Sequence, residues 1–294
     1  MSVAQLRETF TDYIIADAFG EFAKENLEVE TIFLSGSDSF SQLASGDVDL
    51  VGTAFSATAM NVVHSVPGVR AVAPLFYAPD PRTTDGLWVR NEFLSDPTSL
   101  RGKVIANTGP GSSTTNPISR YLQSIGLTVN DVEIKSFPAA DIPTALETGA
   151  ASAAWVVAPA AQKISDEKIA EFVQGYAPGD LAGEWFAGDL LTDNRDAVVA
   201  FVRALARTNA LHLQPGYKSN PEIITALAEA LDVPEDTIES AYGYIFTADL
   251  KRNLDTLPEY QQLWRQFPDL LSYDTDLTVD QVFDLTVIDD AVNP

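Results

Sequence analysis

Residues 35–56 read SGSDSFSQLASGDVDLVGTAFS. Ser37 or Asp38 predicts a helix N-cap, Phe40, Leu43 and Ala44 carry the helix that follows, and Gly46 stops it. Val48, Leu50 and Val51 then form a short buried strand. The same pattern returns in residues 137–159, FPAADIPTALETGAASAAWVVAP, with Asp141 in the place of Asp38, Leu146 in that of Leu43 and Gly149 in that of Gly46. Asp to Leu is five residues in both copies, and Asp to Gly is eight in both. Caps of this kind recur within single α/β chains, so the echo is either coincidence or the mark of two similar lobes. The two matched offsets predict two lobes, each presenting a helix N-terminus.

Outward from these stretches, strands and helices alternate up to about residue 191. Strands are predicted at 3–7, 29–34, 69–77, 85–91, 104–106, 132–136 and 184–191, with a short strand or turn at 171–174. Helices are predicted at 14–26 and 56–63, and a further one runs to residue 125 from an Asn116 cap with Pro117 at its first position. Beyond residue 195 the pattern is helical: 197–211, 221–231, 234–246, 259–267 and 279–287. This is an α/β chain with largely parallel sheets. The predicted division is a discontinuous first lobe, 1–90 and 187–294, around a second lobe, 91–186. If the two bounding strands run side by side, they form a hinge between the lobes.

Composition narrows the function classes. The chain has 294 residues, enough for two full cores, and 46% of them are hydrophobic. Its formal net charge is −24, spread along the chain, which disfavours nucleic acid and anionic membranes as partners. There is no cysteine, so disulfides, zinc–thiolate sites and thiol nucleophiles are excluded. The two histidines, His64 and His212, have no second ligand at metal spacing, and no metal or cofactor is expected. GxSxG, HExxH and Walker A motifs are missing, and GPGSST at 109–114 lacks the lysine of a P-loop. The opening residues, MSVAQLRETF, have no basic region followed by an apolar block, which predicts either a cytoplasmic protein or a start at a mature N-terminus.

Four segments in order, LASGDVDLVGT (43–53), LRGKVIAN (100–107), GPGSST (109–114) and DVEIKSFPAADIPTALETGAASAAWVVAP (131–159), resemble the nitrate/sulfonate/taurine family of periplasmic substrate-binding proteins. These are the receptors of ATP-binding-cassette importers, and the family also includes binders of thiamine pyrimidine precursors. The resemblance covers residues 3–215. It implies the type II periplasmic-binding-protein fold: two α/β lobes, each a mostly parallel sheet flanked by helices, with a ligand cleft between them. It implies a monomer working with importer membrane subunits, either periplasmic or lipid-anchored outside the cell, and closing on a small ligand. A sulfonate or taurine-like anion is the expected class. An enzyme of pyrimidine or cofactor synthesis on the same fold, or a ligand-sensing module, is the alternative. The pyrimidine-synthesising relatives carry a Cys-rich motif that this chain lacks.

Helix N-termini offer free N–H groups and a positive partial charge, which suits anions without requiring Lys or Arg. Candidate ligand residues therefore gather at such ends. Asp12 and Tyr13 follow the first strand. Ser37 and Asp38 open the first echo helix, with Asp38 and Asp141 read as either caps or ligand contacts. Phe55 and Ser56 follow a strand at its C-terminal end, where open α/β sheets hold ligands. Ser112, Ser113 and Thr114 form the glycine-rich loop, which the resemblance assigns to ligand binding and turn chemistry alone also explains. Trp155 either stacks on ligand or packs between lobes. Glu184 either meets a ligand amine or is an exposed hinge carboxylate, and Trp185 lies beside it. Arg90 and Arg120 are read as surface residues.

Overall fold

Gly46 and Gly149 share one left-handed backbone geometry, φ 78° and 77°, and each stops a helix one loop ahead of a central strand. Only glycine takes that conformation without a Cβ penalty, so the repeated glycine marks a repeated chain reversal. The computed structural model describes residues 1–3, 6–83, 85–157 and 160–293, with backbone alone at Gly36 and Ser37. The chain forms two units. The first comprises Met1–Pro81, Pro178–Leu254 and Ser272–Pro294, and the second comprises Arg82–Ala177 and Asp255–Leu271.

In chain order the first unit opens with β1 (Ser2–Val3), α1 (Thr11–Ala18), α2 (Glu21–Lys24), β2 (Ile32–Phe33), α3 (Gly36–Ser45), β3 (Leu50–Ala54), α4 (Ala57–Ser65), β4 (Arg70–Pro74) and β5 (Ala78–Pro79). The second unit follows with β6 (Gly86–Arg90), β7 (Val104–Asn107), α5 (Thr115–Ser124), β8 (Glu133–Ser136), α6 (Ile142–Glu147), β9 (Ala153–Val156), α7 (Ala160–Asp166) and β10 (Ala170–Gln174). The chain then returns as β11 (Gly183–Ala187), α8 (Leu190–Asp193), α9 (Arg195–Leu211), α10 (Pro221–Leu231), α11 (Glu235–Ser240) and β12 (Tyr244–Ile245). A last excursion gives α12 (Leu257–Trp264) to the second unit, and α13 (Val279–Val282) and α14 (Leu285–Val292) complete the first.

The first sheet has the order β2-β1-β3-β11-β4 and the second β8-β7-β9-β6-β10. In both, the first strand of the alternating run pairs in parallel with the second and the third. In both, an antiparallel strand, β11 or β6, separates the third from the fourth. The echo therefore occupies equivalent places: α3 and β3 in one sheet match α6 and β9 in the other.

Strand periodicity divides each core into two faces. In the second unit Leu87, Ile105, Ala153 and Trp155 face Ile118 and Leu122 of α5 and Leu263 of α12. The alternate residues Trp88, Ala106, Ala154 and Val156 face α6 and α7. In the first unit Trp185 of β11 is fully buried among Phe10, Tyr13 and Phe201, at ring distances of 5.7, 5.6 and 5.2 Å. Its partner across β3 is Gly52, where a Cβ would meet Phe10 and Trp185 ring carbons at 2.7 Å. On the opposite face Phe186 packs on Phe40 of α3 at 5.4 Å. Each large side chain so buried contributes about 1.5–3 kcal/mol.

Several sequence expectations change. The strands at 85–91 and 184–191 do not pair to form a hinge: β6 lies inside the second sheet and β11 inside the first. The second unit accordingly takes residues 82–177 in place of 91–186, and it gains 255–271 from the helical region. The helix expected at 14–26 breaks at Gly20, φ 68°. Residues 244–245, expected within a helix, instead pair with β5 as β12. The helix expected at 279–287 is interrupted where Phe283 bridges to Ala71. Helix α5 begins at Thr115, so Pro117 is its third residue; its missing N–H falls in the first turn, where N–H groups have no intrahelical acceptor. Of the strand expected at 3–7, Ala4 and Gln5 lie outside the described residues.

Candidate ligand site

In the second unit, the loop after β7 is built around one side chain. Asn107 is 1% exposed, and its Nδ2 donates to Thr115 Oγ1 (3.2 Å) and to the Gly109 carbonyl (3.4 Å). Its Oδ1 accepts from the Thr108 N–H (2.8 Å) and from Thr114 Oγ1 (2.7 Å). Ser112 Oγ lies 2.9 Å from Thr114 Oγ1, and Thr115 Oγ1 also donates to the Gly109 carbonyl at 3.3 Å. The amide thus satisfies both ends of a nine-residue turn and fixes where the hydroxyls point.

Ser113 is directed differently. Its Oγ lies 2.7 Å from the hydroxyl of Tyr176, whose ring meets Trp155 edge-on at 5.0 Å. The loop and the end of β9, separate in sequence, are joined through Tyr176. Ser113 and Trp155 are 1% and 7% exposed, while Ser112, Thr114 and Tyr176 are half-buried. In the first turn of α5, Asn116 Nδ2 is buried with no partner. The group consists of hydroxyls, amides and two aromatic rings, and contains no carboxylate or histidine. It suits the holding of a polar group by neutral donors.

The first unit treats its candidates otherwise. Asp12, in the first turn of α1, is fully buried; Oδ1 accepts the Tyr13 N–H at 2.7 Å and Oδ2 has no partner. Burial pushes its carboxyl well above the ordinary 3.8, with the backbone N–H groups of Tyr13 and Asp12 pulling the other way. Tyr13 is a core residue, 3% exposed, bonded through its hydroxyl to Thr31 Oγ1 at 2.6 Å. The cap of α3 is Ser35, which replaces Ser37 or Asp38 in that role: its Oγ accepts the Asp38 N–H (3.3 Å) and donates to Asp38 Oδ2 (2.6 Å). Asp38 is exposed, and the side chain of Ser37 lies outside the described residues. Asp141 holds the cap position of α6 without a side-chain capping bond.

Phe55 is fully buried and stacks on Phe283 at 6.2 Å, which makes it core. Ser56 caps α4, accepting the Ala59 N–H at 3.2 Å. Glu184 and Trp185 are neighbours on a strand and face opposite ways, so they do not share a site. Glu184 is 1% exposed, not an exposed hinge carboxylate, and its Oε2 accepts from Arg252 Nη2 at 2.6 Å. Burial raises its carboxyl while Arg252 pulls it down. The Arg252 guanidinium also lies 5.1 Å above the Phe283 ring. Trp185 is 0% exposed. Arg90 is no free surface residue either: its Nη1 donates to the Leu146 carbonyl (2.6 Å) and so caps α6. Arg120 pairs with Glu259 at 3.1 Å.

The sequence reading missed Asn107, Tyr176 and Arg252. An Asn closing a buried strand just ahead of TGPGSST is a legible turn-former. Tyr176 and Arg252 lie in stretches with no periodic signal. Among the described residues no group of three or more His, Cys, Asp or Glu is placed to hold a metal ion, and no helix is long and apolar enough to cross a membrane.

The family described as NMT1/THI5 like matches residues 7–215. No curated protein sequence matches. Among solved structures, the periplasmic sulfonate-binding protein SsuA from Methylobacillus flagellatus is 20% identical, with a TM-score of 0.72 over 99% of this chain and 92% of that one. The periplasmic nitrate-binding protein NrtA from Synechocystis PCC 6803 is 16% identical, with a TM-score of 0.69 over 99% and 86%. The desulfurization enzyme DSZB is 13% identical, with a TM-score of 0.64 over 100% and 98%. Likeness at these identities is likeness of fold.

Proposed function

The chain belongs to the NMT1/THI5-like family and has the type II periplasmic-binding-protein fold, and on that premise we propose that it is the solute-binding receptor of an ATP-binding-cassette importer. Its ligand is a small polar organic anion, a sulfonate or taurine-like compound first among them, and it works outside the cytoplasmic membrane. The observation that carries this reading is the Asn107-built loop with Ser113 joined to Tyr176 and Trp155. Hydroxyl and amide donors beside an aromatic wall bind an oxyanion group and an organic body together. The names of SsuA and NrtA, sulfonate-binding and nitrate-binding, support the anion class. DSZB shows that the fold also hosts catalysis, but this loop cluster has no histidine or carboxylate to act as a base, and the chain has no cysteine.

The test is a thermal-shift screen against sulfonates, taurine, nitrate, small carboxylates, aromatic acids and pyrimidines. A ligand at a hundred times its Kd stabilises by about 2.7 kcal/mol. A hit that Ser113→Ala and Trp155→Ala both abolish, in variants that remain folded, supports the receptor. No stabilisation by any compound, together with turnover of one of them, overturns it.

A further inference from the structure

Two residues with orphaned oxygens line one gap in the first unit. Asp12 and Asn209 both line it, with Pro74, Leu75, Phe76, Tyr77, Phe246, Thr247 and Leu250 as its other walls. Asp12 Oδ2 and Asn209 Oδ1 are buried and have no hydrogen-bond partner. The orientation of the Asn209 amide is fixed, because its Nδ2 donates to the Thr247 carbonyl at 3.1 Å and a carbonyl accepts only. Its Oδ1 must therefore face away from Thr247 and requires a donor. The gap is too narrow to admit a water molecule that would supply one.

Two buried acceptors on residues that line the same narrow gap are each costly to leave unpaired. One hydrogen atom resolves both. We propose that Asp12 is a buried proton site: the side chain is held as the neutral carboxylic acid, with Oδ2–H donating to Asn209 Oδ1. The N-terminus of α1 would ordinarily favour a carboxylate, but its N–H bond reaches Oδ1 and leaves Oδ2 untouched. The upward push of burial on Asp12 agrees with this assignment.

The charged groups of the packed elements are engaged elsewhere or exposed. Glu8, on the turn before α1, pairs with Lys218 at 2.6 Å. Glu21 of α2 and Glu25 just after it pair with Arg207 and Arg203 of α9, and His212 at the end of α9 pairs with Glu21 at 3.1 Å. Asp17 of α1, Glu222 and Glu229 of α10, and Asp249 and Lys251 near the gap are exposed. Tyr13, Tyr77 and Tyr217 are the phenols nearby; Tyr13 bonds Thr31, and Tyr217 accepts the Tyr244 N–H.

This proton has a thermodynamic signature that does not depend on the ligand reading. Folding takes up a proton at Asp12, so its contribution is full below the unfolded carboxyl's ordinary value and is lost as pH rises, until folded Asp12 itself ionises. Asp12→Asn supplies an N–H donor in the same place at every pH. Urea melts of both proteins from pH 4 upward should show the variant gaining on the wild type by about tenfold in folding constant per pH unit, about 1.4 kcal/mol. The infrared spectrum of the wild type at neutral pH should show a protonated-carboxyl C=O band that Asp12→Asn lacks. A stability gap that stays flat with pH, or the absence of that band, overturns the assignment. The band is measured on the wild type, so the result stands even if the variant folds poorly.

Discussion

The hydroxyl of Tyr176 lies 2.7 Å from the hydroxyl of Ser113, across 63 residues of sequence, and its ring rests edge-on against Trp155. The hydroxyl and the ring make separable contributions. Tyr176→Phe keeps the ring on Trp155 and removes the link to the loop, at a cost of about 0.5–1.5 kcal/mol in a urea melt. Affinity for the stabilising compound should fall, because Ser113 loses its bond to the Tyr176 hydroxyl. Calorimetric titration showing unchanged affinity would remove Tyr176 from the site.

Asn107 is the stronger lesion. Asn107→Asp preserves the two bonds that Oδ1 accepts but turns a carboxylate oxygen toward the Gly109 carbonyl in place of the Nδ2 donor. A loss of about 2–3 kcal/mol is expected at neutral pH, with partial recovery as the new acid is protonated at low pH. Equilibrium unfolding at pH 4 and pH 7 measures the difference.

Gly52→Ala forces a methyl group onto two buried rings, Phe10 and Trp185, at 2.7 Å. Neither ring has room to retreat, since both are in the core. Overpacking of this kind costs about 1–3 kcal/mol, read as a lower midpoint with an unchanged m-value.

Glu21 is fully buried and bonded to Arg207, Lys24 and His212. Burial opposes its charge, but hydrogen bonds from Arg207, Lys24 and His212, with the charge of Lys24, outweigh it and hold the carboxyl at about 2, below the ordinary 4.5. A depressed carboxyl stabilises above its unfolded value and loses that contribution as pH falls toward 2. Glu21→Gln should be less stable at pH 7, by about 2–3 kcal/mol, and should lack the decline between pH 4.5 and 2 attributable to this group. Parallel decline in both proteins would contradict the assignment.

Arg252→Ala strands Glu184 in the core with its carboxyl unpaired. About 3–5 kcal/mol should be lost. The double variant Arg252→Met with Glu184→Gln should recover most of that, since the pair is costly to break but not costly to replace. A double-mutant cycle reads the coupling directly.

The repeated glycine stop and strand were legible in sequence because helix stops and buried strands are local events, whereas the cap fell on Ser35 in one copy and makes no side-chain bond in the other. Leu43, Leu50, Val51 and Leu146 are all buried, as their places in helix and strand implied. What local patterning does not carry is which sheet a strand joins: the apolar runs at β6 and β11 look alike in sequence, and their exchange between sheets is set by pairing across about a hundred residues. The same holds for side chains. The glycine-rich loop of Ser112, Ser113 and Thr114 and the strand end at Trp155 were visible in sequence, and the family resemblance singled them out. Tyr176 was not, because its meaning comes from a hydroxyl contact with no motif around it. Asp12, Phe55, Glu184 and Trp185 stood at plausible strand and helix ends, yet each is turned into the interior, a direction that position along the chain does not fix.

The chain passes between its units four times, after residues 81, 177, 254 and 271. During synthesis this sets a schedule. The core behind Trp155 lacks Leu263 until α12 has emerged, and β4 lacks its bridge at Ala71 until Phe283 has been made. Domains usually fold in turn as the ribosome delivers them. Here each unit takes part of its packing from late in the chain, so neither is complete until the stretches that carry Leu263 and Phe283 have been made.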